Sequence, residues 1–82
     1  MAAALKVSTP QFRTALVRRL KNMRPEYRPE FLEVERGIAF RMIDGRGRAR
    51  SRSISIYRNT GRVLERAWLE RLLRNAGFPT VR

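Results

Sequence analysis

Residues 41–58 read RMIDGRGRARSRSISIYR, and the pairing of this stretch decides what the chain can fold into. Asp44-Gly45 is a turn signal, and Gly47 adds backbone freedom. Before the turn, residues 38–43 place Ile38, Phe40 and Met42 on one strand face; after it, residues 48–58 end in Ile54, Ile56 and Tyr57. The two runs predict a β-hairpin whose tip carries Arg46, Arg48 and Arg50. Along it, Arg46, Arg48, Arg50 and Arg52 alternate with Gly47, Ala49 and Ser51. Side chains two apart in a strand share a face, so the guanidinium groups form a ladder with steps of about 6–7 Å. Phosphates along one nucleic-acid strand are separated by a similar distance, about 6–7 Å through space for about 3.4 Å of duplex rise.

Working outward, Thr9-Pro10 marks a helix start, with Thr9 as N-cap and Pro10 at the first helical position. Phe12, Leu16, Leu20 and Met23 recur at helical spacing, while Arg13, Arg18, Lys21 and Arg24 fall outside that seam. No acid precedes Glu26, so the exterior of this helix is wholly basic. Pro25 ends it. Arg24-Pro25-Glu26-Tyr27 and Arg28-Pro29-Glu30-Phe31 form a short repeat that reads as an extended or turn-rich connector. Glu26, Glu30, Glu33 and Glu35 concentrate acid here, so the segment is expected to face away from a polyanion or to pair with nearby arginines. A first short strand is expected at 32–36, with Gly37 at a bulge or turn.

After the hairpin, Asn59-Thr60-Gly61 reads as a capping cluster for a second helix over 62–75. Leu64, Trp68 and Leu72 form its apolar stripe, widened by Ala67, Leu69, Leu73 and Ala76, and Trp68 is expected in the core. Gly77 is the expected left-handed C-cap, with Phe78 closing over Leu73 and Pro79 stopping the helix. Glu70 and Arg74 stand at i,i+4 and are expected to pair. The fold class is therefore α+β: a small two-layer α-β-β(-β)-α domain over 9–78, two helices packed on a short antiparallel sheet. Residues 1–8 form a flexible start and 79–82 a frayed tail.

Composition bounds the function. With 82 residues and 43% hydrophobic content, one thin core is expected, which dimerisation could supplement. The chain has no cysteine and no histidine, which removes disulfides, most zinc sites and the commonest general acid–base group. No cofactor or metal is expected, and an enzyme is disfavoured. No run approaches the 18 apolar residues of a membrane span. The start MAAALKVSTP is too short and polar for a signal peptide, so a cytoplasmic location is the default. Net charge is +12, from 19 basic and 7 acidic residues, and 17 of the bases are arginine. Arginine's planar fork holds two phosphate oxygens or a guanine edge, as lysine cannot.

The expected partner is nucleic acid, DNA or RNA, held by Arg46, Arg48, Arg50 and Arg52, with Arg58 following them. Arg62 and Arg66, read as lying near the hairpin end, and Arg13, Arg18 and Lys21 on the first helix add flanking phosphate contacts. Tyr57 is open to two readings, a half-buried side chain or a platform on which a base stacks. Gly45-Arg46-Gly47 carries no phosphate-loop or dinucleotide signature.

The helix–strands–helix order resembles the double-stranded RNA-binding domain, α–β–β–β–α. That family contacts duplex backbone with its first helix, a strand-connecting loop and basic residues opening its last helix. The resemblance implies these roles for Arg13, Arg18 and Lys21, for residues 46–52, and for Arg62 and Arg66, with Glu65 diluting the last group. The run Ser53-Ile54-Ser55-Ile56-Tyr57-Arg58-Asn59 resembles the Gly-Ser-His strand of HicA-type mRNA interferase toxins, which share that fold. Ile54 stands where that family has its histidine, so the ribonuclease activity does not carry over.

A second class of function fits the same composition: a small inhibitor or adaptor, of the kind phages encode, docking on an acidic protein surface or on a nucleoprotein machine. Its cue is the acidic, proline-rich segment 25–35, whose protein-facing role would tolerate changes in the arginine ladder. A histidine-free ribonuclease is the third and weakest reading.

Overall fold

The computed structural model describes residues 7, 9–58 and 62–78. Its elements run α1 (Pro10–Met23), β1 (Arg28–Leu32), β2 (Ile38–Ile43), β3 (Ile54–Ile56) and α2 (Arg66–Asn75). The strands form one antiparallel sheet in the order β1-β2-β3, giving the α+β class with its third strand.

The α1 helix starts as its sequence dictates. Thr9 Oγ1 accepts the Phe12 N–H at 3.3 Å, and Phe12, Leu16, Leu20 and Met23 are buried. Arg24 departs from the expected exterior position and is only 3% exposed. Its backbone N–H caps Leu20 O, its guanidinium donates to Met23 O, and a second nitrogen meets Glu70 Oε1 at 2.5 Å. Glu70 thus pairs across 46 residues with Arg24.

β1 lies within the segment read as a connector, and the strand expected at 32–36 is displaced towards the N-terminus. Its register places Phe31 opposite Phe40 and Glu30 opposite Arg41. Pro29 is accommodated because β1 is an edge strand, where one side of the backbone needs no ladder partner. Residues 33–37 then turn into β2, with Gly37 at φ +71°.

The helices cover the sheet face bearing Ile38, Phe40 and Met42, and the core joins these to Phe12, Leu16, Leu20, Ile54, Ile56, Val63, Leu69, Leu73 and Phe78. Val7, grouped by sequence with the flexible start, is buried in that core. The opposite face carries the Arg41–Glu30 ion pair at 2.6 Å and exposed Ser55, although Ala39 and Ile43 there are buried.

α2 begins at Arg66, four residues later than its pattern suggested, because residues 62–65 form a turn closed by Glu65 N–H to Arg62 O. Glu65 occupies the N-cap without a side-chain bond; Asn59 and Thr60, the expected caps, lie outside the described residues, as does Pro79. Leu69, Leu73 and Ala76 form the buried stripe, whereas Leu64, Trp68 and Leu72 are half-buried flanks and Ala67 is exposed. Trp68 is therefore a lid over the core's margin rather than its centre. The C-terminus matches its sequence: Gly77 has φ +82°, Phe78 N–H bonds Leu73 O at 2.9 Å and Gly77 N–H bonds Arg74 O at 3.0 Å, a complete Schellman motif.

No helix among the described residues is long and apolar enough to cross a membrane.

Candidate nucleic-acid interface

The β2–β3 connection is built around Asp44. Gly47 N–H bonds Asp44 O at 2.9 Å, Asp44 N–H bonds Arg48 O at 3.0 Å, and Gly47 sits at φ +81°. This is a three-residue hairpin loop with its left-handed residue at Gly47 rather than Gly45. Asp44 Oδ1 accepts the N–H groups of Arg46 and Arg48, at 2.9 and 3.0 Å. An aspartate side chain holding its own turn in this way leaves the side chains of Arg46 and Arg48 on the outside, and both are exposed.

The Arg48 N–H holds the Asp44 carboxyl below its ordinary value of 3.8; the Arg46 N–H and the charges of Arg48 and Arg50 act in the same direction, against a partial desolvation. A carboxylate with a depressed folded pKa supports the fold above its ordinary pKa and loses that contribution as pH falls through the folded value. The turn is therefore fully held at neutral pH. In an NMR titration the amide shifts of Arg46 and Arg48 should move together, with a midpoint below 3.8. In Asp44→Asn, which keeps the Oδ1 acceptor, the amides should stay bonded and no longer titrate. A wild-type midpoint at or above 3.8 would contradict the assignment.

Beyond the turn, the expected continuous strand over 48–58 is interrupted. Ile43 bridges Ala49 and Arg50 N–H bonds Met42 O, but the next pair is Phe40 with Ile54. Two residues on β2, Arg41 and Met42, thus face four on the other side, residues 50–53. Two extra residues leave the strand phase unchanged, and what they do is take residues 50–53 out of the ladder. Arg48, Arg50 and Arg52 have the same strand phase as Ile54 and Ile56, which face the helices, so an unbroken strand would direct arginines towards the core. A two-residue bulge keeps the isoleucines inward and carries the arginines past the end of α2.

There, Arg52 N–H bonds Ala76 O at 2.8 Å and its guanidinium donates to Asn75 O at 3.0 Å. A cation on the last carbonyls of a helix is favoured by the helix dipole. Arg52 is therefore the loop's anchor, while Arg46, Arg48 and Arg50 remain outward. Arg50 shares a shallow cleft with Ala49, Ser51, Ala76 and Gly77. The ladder of four equivalent guanidinium groups becomes three outward arginines and one tether.

Further basic residues stand at the two ends of the sheet and along α1. At the loop end stand exposed Arg28, in register with Ile43, and exposed Arg74 in the last turn of α2. Sequence pattern marks Arg74 only as a partner for Glu70, which Arg24 takes instead, and marks Arg28 for no contact; strand register and the helix C-terminus place both at the loop end. At the other end lie Arg58, two residues past β3, and Arg62, paired with Glu65 at 3.5 Å, with Arg66 opening α2. The ten residues of α2 span about 15 Å, so Arg62 and Arg66 stand towards the end of the hairpin at Arg58 and not beside the arginine loop. Arg13 also belongs to this far end, its guanidinium 4.5 Å from the Phe31 ring centre. Arg18 and Lys21 are exposed on the outer side of α1. Exposed Glu33 and Glu35 sit in the β1–β2 connection, away from the arginine loop.

Among the described residues no group of three or more His, Cys, Asp or Glu side chains is placed to hold a metal ion. The chain matches no protein-family model, no curated protein and no solved structure.

Proposed function

We propose that the protein is a small non-enzymatic nucleic-acid-binding domain that contacts the phosphate backbone through the β2–β3 loop. One observation carries this reading: Arg46, Arg48 and Arg50 are exposed on a loop whose acid, Asp44, gives Oδ1 to backbone N–H groups and meets only the Arg48 guanidinium, at 3.8 Å, through Oδ2. Electrostatic attraction by a chain of net charge +12 concentrates it on any polyanion, and the loop then supplies forked donors. Arg28 and Arg74 extend that surface, and basic residues of α1 and of the 58–66 segment engage more distant phosphates.

Binding of this kind falls steeply with salt, since each neutralised phosphate releases counterions. In fluorescence-anisotropy titrations across a salt series, Arg46→Ala/Arg48→Ala/Arg50→Ala should flatten the slope of log K against log salt by about 2–3 units. Circular dichroism should show the fold retained, because these side chains are exposed. An unchanged slope in the folded variant would remove the loop from the interface. Ladder-insensitive capture of an acidic protein would instead favour the adaptor reading.

A further inference from the structure

At the end of the sheet remote from the arginine loop, Tyr57 is 69% exposed, the most exposed large hydrophobic side chain described. The described ring contacts involve Tyr27 with Phe78 and Phe31 with Phe40; Tyr57 has none. The alternation that buries Ile54 and Ile56 assigns Ser53, Ser55 and Tyr57 to the helix-free face, and all three are exposed. The Tyr57 backbone is pinned: a Cβ at Gly37 would lie 2.9 Å from Tyr57 Cα, so the β1–β2 turn packs directly on it. Tyr57 thus presents an open aromatic ring from a backbone held by the neighbouring turn. Its chain neighbour Arg58 and Arg36 beside Gly37 are exposed and have no ion-pair partner among the described residues.

We infer that Tyr57, flanked by Arg36 and Arg58, is a stacking platform for an unpaired nucleobase, so that the ligand is a single strand running along the β3 edge. This rests on the nucleic-acid reading and specifies its ligand. Base stacking on an exposed aromatic beside cations is how single strands are held without sequence readout. A duplex keeps its bases stacked internally and offers Tyr57 nothing. Ala49 is level with Ile43 and Ile56 with Ile38, so measured along β2 the loop base and Tyr57 are about 20 Å apart at strand rise, which about three or four nucleotides span at about 6–7 Å per phosphate. Arg46, Arg48 and Arg50 then hold phosphates at one end of that path and Tyr57 stacks a base at the other. Single-stranded DNA and RNA share this chemistry.

The test compares wild type, Tyr57→Ala and Tyr57→Phe against labelled single-stranded DNA, single-stranded RNA and the corresponding duplexes by anisotropy. Tyr57→Ala should weaken binding of at least one single strand about ten-fold, within the range alanine substitution of stacking aromatics produces, and leave duplex affinity within about two-fold. Tyr57→Phe, which keeps the ring, should behave as wild type. If wild type binds and Tyr57→Ala binds single strands equally well, the stacking site is overturned and the backbone reading stands. If wild type binds no nucleic acid, both are overturned.

Discussion

Glu70→Ala is expected to destabilise the fold by about 3 kcal/mol, at the lower end of what breaking a buried ion pair costs. Arg24 is 3% exposed, whereas Glu70 retains 26% of its side-chain surface. Removing the carboxylate therefore leaves a guanidinium that cannot reach water, whose Nε is already without a hydrogen-bond partner in the protein. Removing the arginine has the opposite consequence. In Arg24→Met an apolar chain of similar length fills the site over Phe78, whose ring centre lies 5.7 Å from the guanidinium carbon, and Glu70 turns to solvent. That variant should lie within about 1 kcal/mol of wild type, because exchanging a buried charge for a packed hydrophobe is often neutral or stabilising. For a domain of this size 1 kcal/mol shifts Tm by about 4–8 °C, so the two substitutions separate clearly in a thermal melt. Equal losses from both would mean that the ion pair is attractive beyond its desolvation and that the asymmetry is wrong. The double variant Arg24→Met/Glu70→Ala should recover most of the Glu70→Ala loss.

Gly37→Ala should be the most damaging of the glycine substitutions. Gly37, Gly47 and Gly77 all have φ between 71° and 82°, a region that disfavours any side chain. At Gly47 and Gly77 a Cβ would meet nothing within 4 Å, so alanine there should cost only the backbone term, about 1 kcal/mol. At Gly37 the added methyl would run into the Ile56 carbonyl oxygen and crowd Tyr57 Cα at 2.9 Å, and both neighbours are backbone that cannot swing aside. The Ile38–Ile56 pair begins one residue away, so relief requires prising β3 from β2. We expect a loss of at least about 3 kcal/mol, strain and lost pairing together, with β3 amide protection lost first in hydrogen exchange. A Gly37→Ala protein that melts with Gly47→Ala would show that the β1–β2 turn is not pressed against β3.

The elements read correctly were those specified by neighbours in the chain. Thr9, Pro10 and the spacing of Phe12, Leu16, Leu20 and Met23 define α1 with no distant partner. Gly77 and Phe78 complete their hydrogen bonds within one helical turn. The elements misread required knowing what lay beside them. Pro29 suggests a connector until β1 is seen to be an edge. Both Leu64-Trp68-Leu72 and Leu69-Leu73-Ala76 read as apolar lines at helical spacing, and only the placement of α2 against α1 decides which is buried. The arginine alternation predicts a strand because local periodicity is blind to what a face must meet. Continuing it would have carried Arg50 and Arg52 towards the apolar interior, and desolvating such charges costs far more than two lost ladder pairs.

The sequence by itself determined the class, the two helices, the hairpin turn at Asp44 and the excess of positive charge, because each follows from spacing of one to four residues or from composition alone. Tertiary structure alone decided that Arg24 is buried against Glu70, that Arg52 is a tether, that Arg62 and Arg66 stand apart from Arg46, Arg48 and Arg50, and that Tyr57 is left open. Each of those depends on which surfaces meet across the fold, and burial and charge separation are properties of that meeting rather than of any stretch of chain.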